Sequence, residues 1–191
     1  MSLIRRSSNP HALTLGMTAI KMGDRLLQIG CPDGGRLAAL AAKVGLSGRA
    51  CVAATDDADA ARARRGAAQA GVLVEVEVAP AGRLPFEDEA FDLIVVDDTR
   101  EFMAARPAAE RAGLLQESLR VLRPGGRVFV IESMPVAGLA GLLRHKPADS
   151  EYRRDGGALT ALHAGGFRSA RLLAEREGLA FVEGMKPRQT E

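Results

Sequence analysis

Short apolar runs alternate along the chain with longer Ala-rich stretches in which apolar residues recur at helical spacing. Runs rich in Val, Ile and Leu are typical of parallel strands that are buried between layers of helices. Two strands are also predicted on either side of a turn at Glu177 and Gly178, and so short a turn pairs them antiparallel. The other predicted strands cover residues 25–30, 49–54, 72–78, 91–96 and 127–132.

Helices are predicted in the stretches between these strands. Leu37, Leu40 and Val44 fall on one face of the first, which is the spacing of an amphipathic helix that packs on a core. The second begins at a cap formed by Asp56 or Asp57. The predicted helices cover residues 36–44, 57–70, 107–122 and 158–164. This order of strands and helices predicts an α/β fold with a mostly parallel sheet.

Two parts of the chain depart from the alternation. Residues 133–157 carry Pro, Gly and mixed charges, and we predict that they form an insertion on the substrate side. Residues 1–20 are predicted to be an N-terminal extension. With 191 residues, of which 47% are hydrophobic, residues 1–191 are expected to form a single domain.

The balance of charges argues against several classes of partner. The 26 Lys and Arg residues are interspersed with 24 Asp and Glu residues, and the chain has one Tyr and no Trp. Because there is neither a basic tract nor a set of stacking aromatics, we expect no nucleic-acid partner. No run approaches the roughly 20 apolar residues that span a bilayer, and no signal-peptide pattern is present. We therefore expect no membrane association and a cytoplasmic location.

Cys31 and Cys51 are the only cysteines, and they lack the CxxC spacing and the second pair that a zinc site requires. Free cysteine is among the most often buried residue types, so both are interpreted as small core residues. No metal site is expected.

Four segments, taken in order, resemble the class I S-adenosylmethionine (SAM) dependent methyltransferases. The similarity is greatest to the small-molecule group that includes the ubiquinone and menaquinone biosynthesis C-methyltransferases. The segments are LLQIGCPDGG at residues 26–35, LPFEDEAFDLIVVDD at 84–98, LRPGGRVFVIE at 122–132 and GGFRSARLLAEREGLAFVEGMKP at 165–187. Each is a weak signal alone, but their order and spacing are specific.

The resemblance implies a Rossmann-like three-layer sandwich with a seven-stranded sheet in the order 3-2-1-4-5-7-6, strand 7 being antiparallel. It also implies SAM as cofactor and a small molecule as methyl acceptor. By position, the implied cofactor contacts are Gln28, Gly30, Cys31, Gly34, Thr55, Asp56, Leu84 and Asp97.

The first segment has a physical basis that does not depend on the family. Glycines at Gly30 and Gly34 let the backbone approach a ligand closely. The helix that follows offers free N–H groups and the positive end of its dipole, here to the methionyl carboxylate. Pro32, however, occupies the middle glycine position and has no N–H.

Three acidic positions of the family are also replaced. Gln28 stands where an acid helps to position the cofactor's ammonium group, and Pro80 stands where an acid meets the adenine. Ala54 or Thr55 stands where an acid binds the ribose hydroxyls. Asp56 follows one or two residues later, and two interpretations are open for it, a ribose contact or a helix cap.

Candidate catalytic residues lie at the ends of two strands. Asp97 and Asp98 close the fourth strand, at the edge where open α/β sheets bind ligands, and are candidates for substrate contact or general base. The alternative is helix capping or loop solvation. Glu132 closes the fifth strand and fits a structural role as well as a functional one.

Other residues give weaker signals. Tyr152 is a candidate for lining a pocket, and His163 is interpreted as a surface residue. The group Arg62, Arg64 and Arg65 is interpreted as a solvated helix face.

Two hypotheses of function follow. The first is a SAM-dependent methyltransferase of a small molecule. Methyl transfer from a sulfonium needs little covalent help, so missing catalytic residues do not count against it. The second is a catalytically impaired methyltransferase-like domain that acts as a binding or scaffolding partner. A homodimer is considered for either.

Overall fold

Seven strands form one sheet in the computed structural model, which describes residues 9–80, 82–134 and 150–188. They are β1 (Arg25–Ile29), β2 (Arg49–Ala54), β3 (Glu75–Val78), β4 (Phe91–Asp98), β5 (Leu122–Ser133), β6 (Arg168–Arg176) and β7 (Leu179–Met185). Their order is β3-β2-β1-β4-β5-β7-β6. The first five strands pair in parallel, and β7 pairs antiparallel with both β5 and β6. The predicted topology is confirmed.

Helices cover both faces of the sheet. They are α1 (Ala12–Thr18), α2 (Gly34–Val44), α3 (Asp57–Ala70), α4 (Ala108–Val121), α5 (Ser150–Arg154) and α6 (Gly157–Ala164). One apolar core, with Leu26, Leu40 and Val95, lies on the face covered by α1 to α3. The other, with Ile94 and Leu162, lies on the face covered by α4 to α6. The layers are those of the predicted three-layer sandwich.

Two strand boundaries differ from the prediction. The edge strand β3 begins at Glu75 and not at residue 72, so it is shorter than its alternating pattern suggested. The strand β5 begins earlier, because Leu122 already pairs with Phe91 before the chain bulges and resumes its register at Arg127. The bulge holds the predicted turn, and Gly125 in it has a left-handed φ of 73°.

The two irregular segments are described in part. The predicted N-terminal extension contains α1. Of the predicted insertion, residues 135–149 lie outside the described residues, whereas α5 and the start of α6 fall within its described end. In the described ranges, every helix is too short or too polar to cross a membrane.

Candidate functional site

The predicted site residues gather where the parallel strands end. Because side chains alternate between the faces of a strand, the consecutive residues Asp97 and Asp98 at the end of β4 point to opposite sides of the sheet. Asp97 faces α2 and Asp98 faces α5, and both are buried. The edge is thereby divided into two halves, which we name after the ligands proposed for them below. The half on the α2 face is the cofactor half, and the half on the α5 face is the acceptor half, for the methyl acceptor.

Gln28 lies in the cofactor half and is fully buried. Its side-chain amide nitrogen donates to the carbonyl of Gly30 at 2.9 Å. Its Oε1 has no hydrogen-bond partner in the described chain. A buried acceptor without a donor is costly, so this atom is a site where a ligand donor would be stabilised.

Arg36, in the first turn of α2, carries a second buried atom without a hydrogen-bond partner in the described part of the chain, in this case a donor. Its guanidinium pairs with the Asp97 carboxylate at 2.6 Å, and only 10% of its side chain and 0% of the Asp97 side chain are exposed. Burial raises the pKa of Asp97, and the Arg36 charge and the Thr99 hydroxyl oppose that shift. The Nε of Arg36 has no partner among the described residues.

These two atoms test whether the site fits SAM. Gln28 pairs in register with Val95, two residues before Asp97, so Gln28 and the Asp97–Arg36 pair lie on the same face of the sheet. The amino-acid end of SAM carries one ammonium donor and one carboxylate acceptor. An unpartnered acceptor on Gln28 and an unpartnered donor on Arg36 complement those two groups, so the donor set fits the cofactor.

The loop between β1 and α2 is held by side chains at the start of α3. Asp59 accepts hydrogen bonds from the Cys31 N–H at 3.2 Å and from the Thr55 hydroxyl at 2.8 Å, and it forms an ion pair with Arg62. Arg62 in turn donates Nε–H to the Cys31 carbonyl at 2.9 Å. Burial acts to raise the pKa of Asp59, but these hydrogen bonds outweigh it and hold the pKa below its usual range. The interpretation of Arg62 as part of a solvated face is therefore wrong.

The N-terminus of α2 also differs from expectation. The N–H groups of Gly35 and Arg36 donate to the side chain of Asp33, which caps the helix. Two of the helix N–H groups that were predicted to meet the methionyl carboxylate are therefore engaged by the chain itself. The side chains of Gln28 and Arg36 take their place as the groups with unused hydrogen-bonding capacity.

Backbone geometry explains both predicted glycines, through a left-handed φ at Gly30 and a close helix approach at Gly34. Gly30 has a left-handed φ of 74°, and a Cβ there would lie 3.4 Å from the Asp97 carbonyl oxygen. A Cβ on Gly34 would overlap the Arg62 carbonyl, because α2 and α3 cross at this point.

The remaining predicted residues have structural contacts. Asp56 caps α3 by accepting from the Asp59 N–H at 2.7 Å, and the buried Leu84 donates its N–H to Glu117 at 2.8 Å. The helix cap is therefore the observed role of Asp56, and its ribose contact stays a prediction.

The acceptor half is built around Asp98. It lies directly opposite Glu132 in the register of β4 and β5, and its Oδ1 accepts from the Met103 N–H at 2.8 Å. Burial raises the pKa of Asp98 to about 7, with a smaller contribution from the negative charge of Glu132. Glu132 accepts from the Tyr152 hydroxyl at 3.3 Å. Both acids and Tyr152 line a cavity of about 270 Å³.

Comparisons with known proteins agree with this geometry. Residues 27–130, more than half of the chain, match the model of the methyltransferase domain family. The chain belongs to the class I SAM-dependent methyltransferases. S-adenosylmethionine is the cofactor of this family.

Individual methyltransferases are similar over part of their length. A ubiquinone/menaquinone biosynthesis C-methyltransferase of Chromobacterium violaceum is 32% identical over 119 residues, which are 62% of this chain and 47% of that protein. A 27-O-demethylrifamycin SV methyltransferase of Amycolatopsis mediterranei is 30% identical over 142 residues, 74% of this chain and 49% of that protein. The chain therefore spans about half the length of the curated relatives that it matches.

A solved structure shows the same fold over almost the whole chain. A SAM-dependent methyltransferase from Aquifex aeolicus superposes with a TM-score of 0.70 at 20% identity, covering 91% of this chain and 88% of the other.

Sequence reasoning missed two residues of this methyltransferase site. Arg36 and Asp59 each lie in the first turn of a helix, where charged residues are common and no motif marks them. Cys31 lies in the loop after β1, where its N–H donates to Asp59 and its carbonyl accepts from Arg62, and its contact with the cofactor stays a prediction. Burial raises the pKa of its thiol to about 12, so the thiol is protonated at neutral pH.

Proposed function

We propose that this chain binds SAM and promotes transfer of its methyl group to a small molecule. Membership of the methyltransferase family supports the proposal. The observation that carries it is the pair of buried, unpartnered atoms, Gln28 Oε1 and Arg36 Nε. Their chemistry matches the two charged groups of the cofactor's amino-acid end, at the position where the family binds that end.

In this proposal the chain's own side chains compensate for the replaced acids. Gln28 accepts a hydrogen bond from the ammonium group, and Arg36 donates one to the carboxylate. Asp97 keeps the Arg36 guanidinium in place through its ion pair. Gly30, with its left-handed φ, turns the chain from β1 into the loop. When bound, SAM supplies a methyl group on a positively charged sulfur that is already activated for transfer.

The other predicted residues would act around this centre. Leu84, fixed through its backbone to Glu117, holds the loop that flanks the cofactor, and Thr55 and Asp56 lie at the end of β2 towards the ribose. Asp98 lies on the acceptor side, where a raised pKa suits a group that receives a proton near neutral pH. We therefore assign Asp97 to positioning and Asp98 to proton transfer.

Isothermal titration of the full chain with SAM and with S-adenosylhomocysteine tests the proposal. We expect saturable binding of both, weakened about tenfold or more by Gln28→Leu, because loss of a hydrogen bond to a charged group costs about 1.5–3 kcal/mol. Gln69→Leu, at an exposed position of α3, is the matched control and should bind as the wild type does. An absence of heat at millimolar ligand would refute the proposal and leave the scaffolding hypothesis.

The acceptor, location and assembly are further proposals. The names of the two relatives differ in their acceptors, a quinone-biosynthesis C-methylation in one and a demethylrifamycin in the other, so they support a small molecule without selecting one. Both cysteines are free thiols, which fits the reducing cytoplasm. The homodimer is open to test by light scattering of the purified chain.

A further inference from the structure

The cavity in the acceptor half is formed by parts of the chain that meet at the sheet edge. It has a volume of about 270 Å³ and is bounded by the ends of β4 and β5, by α5, by the start of α6 and by the β6–β7 hairpin. Gly157, at the start of α6, has a left-handed φ of 55°, and a Cβ there would lie 3.3 Å from Glu132 Oε1. A side chain at this position would therefore crowd the Glu132 carboxylate.

Asp98 is the group in this cavity with unused bonding capacity. It is only 3% exposed, and Oδ1 is held by the Met103 N–H. No donor within the described ranges reaches its second oxygen, Oδ2. Arg153, which also lines the cavity, is paired with Glu101 at 2.5 Å. The cavity therefore presents a carboxylate oxygen with which a ligand O–H or N–H can form a hydrogen bond.

The surroundings of Asp98 are acidic. Glu132 lies opposite Asp98 in the register of β4 and β5, and its carboxylate accepts a hydrogen bond from the Tyr152 hydroxyl. In the part of the chain that the structure describes, the titratable and charged groups that face the cavity beside Asp98 are Glu132 from β5, Tyr152 and Arg153 from α5, Glu175 from β6, and Glu101, which is paired with Arg153. Among the described lining residues Arg153 is the one arginine, and it is neutralised by Glu101, so these residues carry a net negative charge when Asp98, Glu132 and Glu175 are ionised. An anionic ligand would be repelled and left without a counter-charge.

We infer that the methyl acceptor of this chain is a neutral or cationic small molecule that presents a hydroxyl or amine hydrogen to Asp98, and that anionic acceptors are excluded. The inference rests on the proposed function. As the acceptor oxygen or nitrogen forms its bond to the methyl carbon, the methyl–sulfur bond breaks and leaves a neutral thioether. The acceptor proton moves to Asp98 Oδ2; an ammonium group gives up this proton before its nitrogen, which then carries a lone pair, attacks the methyl carbon. Asp98 is then the catalytic base, and Glu132 is a positioning residue that acts through it.

Three probes of matched size test the charge preference: benzylamine, benzyl alcohol and benzoate. Each is titrated into the full chain carrying ¹³C-methyl alanine, and the methyl signals of Ala104 and Ala180, which line the cavity, are followed. We expect benzylamine and benzyl alcohol to shift both signals, and benzoate to bind at least about tenfold more weakly than benzylamine. The preference for benzylamine should grow from pH 6 to pH 8 as Asp98 loses its proton.

Variants decide whether the acids cause the preference. Asp98→Asn should bring the affinities for benzylamine and benzoate to within about threefold of each other, and Glu132→Gln should reduce the difference by a smaller factor. The control Asp57→Asn, at an exposed position of α3 on the opposite face, should leave it unchanged. Should Asp98→Asn not fold, Glu132→Gln carries the same test.

The inference is overturned if benzoate binds as tightly as benzylamine, if no probe reaches the cavity, or if the preference is unchanged in both variants. The probes are titrated in the absence of SAM, so the probe experiment and the SAM titration can fail independently. Loss of SAM binding with the probe preference intact would refute the proposed function alone.

Discussion

The cofactor half and the acceptor half lie on the two faces of the same sheet edge. Each contains a buried aspartate, but within the described ranges only one of the two aspartates is paired with a cation. In the cofactor half, Asp97 is paired with the buried Arg36 guanidinium. In the acceptor half, Asp98 has no direct cation partner in the described chain, and its pKa is raised to about 7. A shift of one position along β4 therefore separates a carboxylate that organises the protein from one that is available for chemistry.

The first segment, residues 26–35, departs from the family pattern in the cofactor half. In the cofactor half, side chains of the chain itself bind three of its backbone N–H groups: Asp33 accepts from Gly35 and Arg36 at the start of α2, and Asp59 accepts from Cys31. The replaced residues are part of an internally bonded loop and not simply a loss. Among the buried side chains of the described residues, Gln28 and Arg36 keep an atom free for a ligand.

The largest effect is expected from Arg36→Leu, which tests whether the cofactor half depends on its buried ion pair. The change leaves Asp97 buried without a counter-charge and should lower the free energy of unfolding by about 3–5 kcal/mol, measured by urea denaturation. Arg49→Leu is the control, because its pair with Glu75 is about half exposed, with side-chain exposures of 43% and 54%, and should cost about 1 kcal/mol or less. Equal costs for the two variants would show that the buried pair has no special role.

The next effect concerns pH and the acceptor half. Because the folded-state pKa of Asp98 is raised, the folded protein favours its protonated form. That contribution is fully present below the unfolded-state pKa of about 4 and is lost as the pH rises towards 7. Compared with Asp98→Asn, the wild type should therefore lose stability on the order of 2–4 kcal/mol between pH 4 and pH 8.

Urea denaturation at several pH values measures this difference. The variant Asp57→Asn, at an exposed position, should follow the wild type throughout. If wild type and Asp98→Asn show parallel pH profiles, Asp98 ionises normally and the contrast with Asp97 is lost.

A smaller effect should distinguish the packing of the two faces. A Cβ on Gly66 would overlap the Gly34 backbone where α3 crosses α2, so Gly66→Ala should cost about 1–3 kcal/mol of stability. Gly113→Ala, in α4 on the acceptor face, meets only Gly82 Cα at 3.8 Å and should be neutral or stabilise by up to about 1 kcal/mol. Thermal unfolding compares them, and a neutral Gly66→Ala would mean that α2 and α3 separate at little cost.

Much of the fold was predictable because its signals are local. Buried parallel strands such as β4 are continuous apolar runs, and the Glu177–Gly178 turn fixes an antiparallel hairpin. The boundaries of β3 and β5 were less accurate. The first is an edge strand whose early residues have no partner strand, and the second continues through a bulge that reads as a turn.

The site was predictable only as a set of positions. The strand ends locate Gln28, Asp97 and Asp98, since strand periodicity places them at the edge. Which acid pairs with a cation depends on Arg36, which lies eight residues after Gln28 on a different element. Likewise, the bonds between Asp59 and Cys31 join residues 28 positions apart in the chain. Contacts of this kind follow from the packing of helices on the sheet, and no local pattern encodes them.

The most direct test of the account is a two-dimensional ¹H–¹⁵N spectrum of the ¹⁵N-labelled chain titrated with S-adenosylhomocysteine. We expect saturable shifts of the Gln28 side-chain amide and of the Arg36 Nε–H signal, because each of these side chains carries a buried atom without a partner in the described chain. The side-chain amide of the exposed Gln69 should not move. Binding that leaves both the Gln28 and Arg36 signals unchanged would contradict the account.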